Sequence, residues 1–292
     1  MMQVAVSASW AGHLRRALCW LLLLLSVQAS MAAQPLRYFP VGPIYEYRWK
    51  VLELALAHAH PGEAPSLQPF GEELSQERAM ALLQGSGAIN VLALGTNRER
   101  EVHMLPVKID ISRGMVGFRV LIIRAATRQR FLDLRLDGLR RLNFGLNEAW
   151  ADVPIMEANG LPVVKASGYE NLFTMLAAGR FDAFPRGLNE ARRELQQRRL
   201  QFPQLMLEPA LALYFPYPVY FWVRKDNLAL ARSIERGLRL ALADGSWRRL
   251  FERYYAAEIA ELRTHPRRVF QLANPVLPEG DLPPDTSWWW RR

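Results

Sequence analysis

The chain has 292 residues, of which 50% are hydrophobic and 22% are charged. This composition is ordinary for a globular protein, and it excludes a disordered chain, a collagen-like chain and a polytopic membrane protein. The 37 lysines and arginines outnumber the 28 aspartates and glutamates, and the net charge is +9. We attribute this charge to solubility and expect no nucleic-acid partner. The single cysteine, Cys19, excludes a disulfide framework and a cysteine-based metal site.

Residues 1–33 predict a secretory signal peptide. Arg15 and Arg16 precede a short apolar run, and the small residues Ser30 and Ala32 follow it at the spacing typical of a cleavage site. The run is shorter than the roughly 20 apolar residues of a membrane-spanning helix. An uncleaved N-terminal anchor is the alternative. Cleavage would remove both arginines, lower the net charge from +9 to +7 and leave no cysteine, so we expect a periplasmic protein.

Short apolar segments alternate with helical patterns along the rest of the chain, which predicts an α/β architecture. The first strand is expected at 35–39, followed by a helix at 45–59. A second helix begins after Ser75, a favourable N-cap residue, and ends at Gly85. The next expected elements are a strand at 88–94, a polar turn at 95–101 and a strand at 117–124.

The second half of the chain continues the alternation. Expected strands lie at 142–146, 161–165, 181–184 and 220–224, and expected helices at 152–159, 169–178, 188–201, 228–244 and 246–255. The tail, 271–292, contains the run Trp288–Trp290. We expect this tail to fold back onto its own domain, and contact with a partner or a membrane surface is the alternative.

Three segments resemble family 3, the amino-acid type, of the periplasmic solute-binding proteins of ABC transporters. Segment 95–107 resembles the pattern Thr-x-x-Arg-x-x-x-(apolar)-x-x-Pro, which closes the first lobe in that family. Segment 169–184 is similar to its second-lobe signature, a helix followed by Gly-(Arg/Lys)-x-Asp-Ala and a strand. Segment 228–255 is similar to its two closing helices.

The resemblance implies a type II periplasmic binding fold, in which two α/β lobes, each a mixed sheet flanked by helices, are joined by two crossing strands. Chain order then assigns 34–118 and 220–270 to lobe one and 119–219 to lobe two. The implied function is capture of a small polar or anionic solute by a monomer, without metal or cofactor, and delivery to the membrane permease of an ABC importer. The alternative is a sensory module for a membrane signalling receptor.

The first lobe supplies most of the ligand-binding candidates that the resemblance implies. Arg100 is expected to bind a ligand carboxylate, because a guanidinium donates two parallel hydrogen bonds. Arg98 is its rival, since Thr96 and Arg100 are one residue further apart than in the family pattern. Thr96 is expected to assist. Tyr45 and Tyr47, in the loop after the first strand, would face the cleft.

The second lobe departs from the family pattern. The family usually places an acidic residue, which binds the ligand ammonium, about five positions after the Asp that corresponds to Asp182. Gly187 occupies that position, so the ammonium partner is missing there. If Arg186 faces the cleft, an anion or a polar neutral ligand is favoured. Alternatively, 185–187 is a tight turn with a solvated arginine. Trp150 would line the pocket or pack in the core.

An enzyme is the less favoured hypothesis. The histidines are not spaced as metal ligands, and the sequence has no nucleophile elbow and no phosphate loop. A few proteins of this fold class act as dehydratases with a carboxylate in the cleft. Glu46, Glu148 or Glu190 could act in this way only if burial raised its pKa.

Overall fold

The computed structural model describes residues 35–40, 42, 45–71, 74–281 and 283–290. The predicted signal peptide lies outside these residues. Within them, no helix has both the length and the apolar character needed to cross a membrane.

Eleven strands can be assigned in the described part of the chain. They are β1 Leu36–Tyr38, β2 Leu67–Pro69, β3 Leu92–Gly95, β4 Met104–Val107, β5 Phe118–Arg124, β6 Phe144–Asn147, β7 Val163–Ala166, β8 Ala183–Gly187, β9 Leu205–Tyr214, β10 Val219–Arg224 and β11 Arg268–Gln271.

Ten α-helices can be assigned in the same ranges. They are α1 Glu46–Ala59, α2 Gln76–Gln84, α3 Arg98–His103, α4 Leu136–Leu139, α5 Asp152–Ala158, α6 Tyr169–Ala177, α7 Leu188–Gln197, α8 Leu228–Ala243, α9 Ser246–Tyr254 and α10 Ala256–Thr264. Ser75 caps α2 as expected, because its hydroxyl accepts a hydrogen bond from the Arg78 amide.

The strands form two lobes. In the first lobe, β10 lies antiparallel between β3 and β4, and the parallel pair β1–β2 joins this sheet through a bridge between Tyr38 and Val91. In the second lobe, six strands form a mixed sheet in the order β11-β9-β5-β8-β6-β7. Each sheet carries helices on its apolar faces, which is the layered arrangement expected of an α/β domain.

The core of the first lobe depends on close packing of α1 against α8. The buried face of α1 contains Val51, Leu52 and Ala55, each fully inaccessible to solvent. Gly237 on α8 faces this helix, and a Cβ atom at that position would overlap the carbonyl oxygen of Ala55. Glycine therefore permits the two helix backbones to approach closely enough to cover the sheet.

The chain crosses between the lobes twice, at 108–117 and at 215–218. Asp110 joins the two crossing segments, because its buried carboxylate accepts hydrogen bonds from the amides of Gly114 at 2.6 Å and Val219 at 2.9 Å. Burial raises the pKa of Asp110 in spite of these bonds. The two segments therefore form one hydrogen-bonded hinge rather than two independent linkers.

Several elements differ from the sequence-based expectations. Helix α3 occupies much of the expected polar turn at 95–101 and continues to His103, and Asn97 caps it through a 2.8 Å hydrogen bond from the Arg100 amide. Strand β9 and helix α10 were not expected. The first lobe was expected to extend to residue 270, but β11 pairs with β9 in the second-lobe sheet.

The tail folds back onto the protein, as expected. Trp288 and Trp289 are buried, and the Trp288 ring makes edge contacts with Trp247 and Phe251, each at 5.5 Å between ring centroids. Aromatic contacts of this kind bury a large apolar area. The tail is thus part of the core.

Candidate functional site

A cavity of about 170 Å³ lies between the two lobes. This volume is below the roughly 300–1,000 Å³ typical of pockets for drug-sized molecules, so the cavity suits a small ligand. Charged and aromatic side chains dominate its wall. Those used below are Tyr45, Arg48, Gly95, Arg100, Arg119, Trp150, Asp152, Arg186, Glu190 and Tyr217.

The first-lobe wall presents two guanidinium groups. Arg48, on α1, donates from Nη1 to the carbonyl oxygen of Ala93 at 2.8 Å, and its Cζ lies 4.3 Å from the centroid of the Tyr45 ring. Arg100, on α3, donates from Nη1 to the carbonyl oxygen of Gly95. Neither arginine forms a salt bridge with a carboxylate among the described residues. Each therefore retains its positive charge and N–H donors that can face a ligand.

Tyr217 orients this wall from the second crossing segment. Its ring covers Gly95 so closely that a Cβ atom at that position would overlap it. The Tyr217 hydroxyl is hydrogen-bonded to Arg100, and burial raises the pKa of Tyr217. The position of the Arg100 guanidinium is thus determined jointly by β3 and by the hinge.

The second-lobe wall contains a buried cluster of Arg186, Glu190 and Glu194. Arg186 makes a bidentate pair with Glu194, with 2.8 Å from Nε and 2.6 Å from Nη2, and its Nη2 lies 2.8 Å from Glu190 Oε2. The guanidinium stacks over Trp150, with its Cζ 4.7 Å from the ring centroid. Bidentate geometry and aromatic stacking both favour arginine over lysine at this position.

Glu190 is ionised although it is buried. Burial opposes its ionisation, but the charges of Arg186, Arg119 and Arg48 outweigh this effect and hold its pKa below the ordinary value. Glu190 also lies in the first turn of α7, where the helix dipole favours an anion. Its Oε2 makes no hydrogen bond of acceptable geometry within the described residues. Glu190 lines the cavity, so its carboxylate contributes negative charge to this wall.

Arg119 and Asp152 form a second buried ion pair in this wall. Arg119 Nη2 lies 2.8 Å from one carboxylate oxygen of Asp152 and 3.0 Å from the other. Both side chains are at most 10% exposed. The pair is neutral overall, so it supplies hydrogen-bonding geometry to the cavity but no net charge.

The lobes are also in contact beside the cavity. The Tyr45 hydroxyl of the first lobe is hydrogen-bonded to Glu190 of the second. On α7, Arg193 lies 3.4 Å from a Glu258 oxygen, and Arg192 pairs with Glu261, both on α10. The structure is therefore a closed arrangement of the two lobes.

Four of the candidates predicted from the sequence come together in the cavity wall. Tyr45 and Arg100 approach from the first lobe, and Trp150 and Arg186 from the second. Arg186 belongs to strand β8 and is buried, so 185–187 is not an exposed turn. Arg186 is also not a free cation, because its two glutamate partners neutralise it.

Three other candidates lie outside the cavity wall. Tyr47 is in the first-lobe core, where its hydroxyl accepts a 2.9 Å hydrogen bond from Trp247 Nε1, because it lies on the inner face of α1. Thr96 is completely buried behind β3. Arg98 is exposed at the start of α3, and it lines a separate surface depression.

Sequence reasoning missed several contributors to the wall, among them Tyr217. Arg48, Arg119 and Asp152 were not predicted, and Glu190 was considered only as a catalytic acid. Glu190 lies four residues after Arg186, a spacing that places two side chains of a helix together, although here the pair spans the β8–α7 junction. This spacing was the available signal for a carboxylate near the position of Gly187.

No cluster of three or more metal-ligating side chains occurs among the residues that the structure describes. The expected absence of a metal stays a prediction.

Comparison with known proteins supports the fold. No protein-family model and no curated protein matches the sequence. Among solved structures, an ancestral arginine-binding protein bound to arginine shares 16% identity at a TM-score of 0.54, over 76% of this chain and 97% of that one. The VFT2 domain of Bordetella pertussis BvgS shares 18% identity at a TM-score of 0.56, over 86% of this chain and 100% of that one.

A histidine kinase sensor domain with similarity to periplasmic binding proteins shares 13% identity at a TM-score of 0.54, over 77% of this chain and 97% of that one. These likenesses, together with two sheets joined by two crossing segments, show that the chain has the two-lobed type II periplasmic binding fold. The fold expected from the sequence is confirmed.

Proposed function

We propose that the protein is an exported solute-binding protein, which captures a small polar or anionic solute between its lobes and delivers it to the permease of an ABC importer. The observation that carries this proposal is the inter-lobe cavity, whose first-lobe wall holds Arg48 and Arg100 without carboxylate partners among the described residues. Export rests on the predicted signal peptide. The proposal also includes the division of the chain into lobes, with boundaries near residues 118 and 219.

The test is a thermal-shift screen of amino acids, organic acids and polyamines on the mature protein. Binding to the folded state raises the melting temperature by mass action. For a ligand found in this way, Arg100→Ala should weaken binding by about 2–4 kcal/mol, because a charge-assisted contact is lost in a desolvated site. Arg98→Ala is the matched control, since Arg98 lies on the same helix outside the cavity. Equal affinities of the two variants would contradict the assignment.

A sensory module for a membrane signalling receptor is the second candidate. The likeness to a histidine kinase sensor domain favours it. Genes for a permease and an ATPase beside this one would support transport, whereas a gene for a signalling protein would support sensing. Co-purification of the ligand-bound protein with one of these membrane partners would distinguish the two directly.

The environments of the three candidate carboxylates do not favour catalysis. Glu46 and Glu148 are exposed to solvent, and the pKa of Glu190 is held low rather than raised. A general acid needs the opposite shift. We therefore propose binding without turnover, and conversion of prephenate-like substrates by the purified protein would refute this.

A further inference from the structure

We propose that the ligand of the cavity is an amino dicarboxylate, a molecule with two carboxylates and one ammonium group. This inference rests on the proposed function and specifies its substrate class. It follows from how charge is divided between the two walls of the cavity after internal ion pairs are taken into account.

The second-lobe wall is negative on balance. Arg119 and Asp152 neutralise one another, while Arg186 is shared between Glu190 and Glu194, so this cluster carries one uncompensated negative charge. Glu190 is the member of the cluster that reaches the cavity. A ligand ammonium facing Glu190 would supply the missing positive charge.

The first-lobe wall carries two positive charges. Arg48 and Arg100 are both bonded to backbone carbonyl oxygens of β3 or its flank, at Ala93 and Gly95, and neither has a carboxylate partner within the described residues. A carbonyl oxygen orients a guanidinium without neutralising it. One ligand carboxylate would compensate Arg100 and leave Arg48 unpaired in a closed cavity, which is unfavourable.

The charges of the ligand can now be assigned. Two carboxylates facing Arg48 and Arg100 and one ammonium facing Glu190 give a net charge of minus one, opposite to the net charge of the wall. A neutral amino acid lacks the second carboxylate, a simple dicarboxylate lacks the ammonium, and a basic amino acid brings a cation toward two arginines. The small cavity volume excludes much larger anions.

Isothermal titration calorimetry tests this inference on the mature protein with six probes: L-aspartate, L-glutamate, L-asparagine, L-glutamine, succinate and L-arginine. We expect one acidic amino acid to bind about ten- to hundredfold more tightly than its amide and than succinate, the range for one lost charge-assisted hydrogen bond. Equal binding of acid and amide, or tightest binding of L-arginine, would overturn the inference and leave the proposed function intact. If no probe and no compound of the wider screen binds, both fail.

The variant Arg48→Gln tests whether Arg48 binds the second carboxylate of the ligand or has only a structural role. We expect the variant to lose the preference for acid over amide, because the contact with the second carboxylate is removed while the glutamine amide can still donate to the Ala93 carbonyl oxygen. Arg48→Lys should retain part of the preference, and Arg98→Gln should retain all of it. An unchanged acid-to-amide ratio in Arg48→Gln would overturn the assignment of Arg48.

A separate set of contacts supports a second inference. We infer that residues 274–281 and 283–290, called here the C-terminal strap, hold the hinge and restrict opening of the lobes. The strap leaves the second-lobe sheet after β11, and Asn274 Nδ2 donates to the carbonyl oxygen of Pro216 in one crossing segment at 2.8 Å. Further along, Asp281 lies 2.8 Å from Lys108 in the other crossing segment.

The strap acts most directly on Arg113 in the first crossing segment. Arg113 has a φ of 50°, in the left-handed region that is costly for a residue with a side chain. Three strap residues hold it there: Asp285 pairs with its guanidinium, Trp288 lies 4.2 Å from its Cζ, and Trp289 Nε1 donates to its carbonyl oxygen at 2.8 Å. A hinge residue clamped in a strained conformation cannot easily absorb the rotation that opening requires.

Distance measurements between spin labels test the strap. The mature chain contains no cysteine, so labels can be placed at Gln84→Cys on α2 and Thr174→Cys on α6, both exposed and in different lobes. Without ligand, we expect one narrow distance distribution in the labelled parent and an additional longer component in Trp289→Ala. Leu200→Ala, at an exposed site, is the control and should match the parent. The same distribution in Trp289→Ala and the parent, with circular dichroism showing both folded, would overturn the inference.

If Trp289→Ala does not fold, Asp281→Asn is measured in its place, because it removes the ion pair between the strap and Lys108 while keeping the size of the side chain. A longer component in that variant supports the strap, and its absence overturns it.

Discussion

Replacement of Arg186 by alanine tests the central electrostatic feature of the second lobe. Arg186 is 6% exposed, and it is bound by Glu194 through two hydrogen bonds and by Glu190 through a third close contact. Its removal leaves two buried carboxylates without the guanidinium that pairs with both of them. Loss of one member of a buried pair typically costs about 3–5 kcal/mol, and we expect a value in this range for Arg186→Ala.

The expected decrease in melting temperature follows from the size of the chain. About 2–4 °C per kcal/mol is typical for 150–250 residues, so the variant should melt about 6–20 °C below the parent. Circular dichroism in a temperature scan measures this. Arg180→Ala is the matched control, because Arg180 is exposed at the end of the neighbouring helix.

The pH dependence makes the prediction specific to charge. In the parent, the lowered pKa of Glu190 contributes stability that is present above the pKa of the unfolded chain and is lost as the pH falls through the folded value. In Arg186→Ala, burial without a guanidinium should raise this pKa, so the penalty is relieved by protonation at low pH. The gap in melting temperature should therefore be smaller near pH 5 than near pH 8. A gap that is absent, or equal at both pH values, would refute the reasoning.

Two further predictions concern the first lobe. The hydrogen bond to Asp244 is the main cause of the raised pKa of His58. The stability that this bond contributes is complete below the pKa of the unfolded histidine and is lost as the pH rises through the pKa of the folded state. In denaturant titrations, the free energy of unfolding should therefore decline less between about pH 6 and 8 for His58→Gln than for the parent. Gly95→Ala should displace Tyr217, because the added Cβ atom overlaps the tyrosine ring. Calorimetry should then show ligand binding weakened at least about tenfold. Gly71→Ala is the control: a Cβ atom there meets no neighbour, so this variant should bind as the parent does.

Local patterns predicted many of the regular elements well. Helices α1, α8 and α9 and strand β5 lie within a few residues of their expected positions, because apolar periodicity and glycine or proline boundaries are local properties of the sequence. Strand β9 was missed because Glu208 and Pro209 interrupt its apolar pattern. In the folded chain, Glu208 is compensated by accepting hydrogen bonds from the amides of Ala210 and Leu211.

The residues of the candidate site were likewise predicted only in part from the sequence. The segment resemblance directed attention to Arg100 and to the stretch around Arg186, and both line the cavity. It could not reveal Arg48, because nothing in a helical pattern distinguishes an arginine that faces a cleft from one that faces water. It also placed Tyr47 in the cleft, although residues two apart at the start of a helix point to different sides, so Tyr47 packs in the core while Tyr45 lines the cavity.

The order of the residues alone predicts alternating strands and helices, an export signal and a surface rich in arginine, and the resemblance of three segments to a known family implies the two-lobed architecture. Those properties depend on neighbours in sequence. Which arginines present an uncompensated positive charge depends on carboxylates that arrive from other elements, as Asp152 does for Arg119. Coulomb interactions act through space and grow as water is excluded, so only the folded arrangement decides where the cavity is positive and where it is negative.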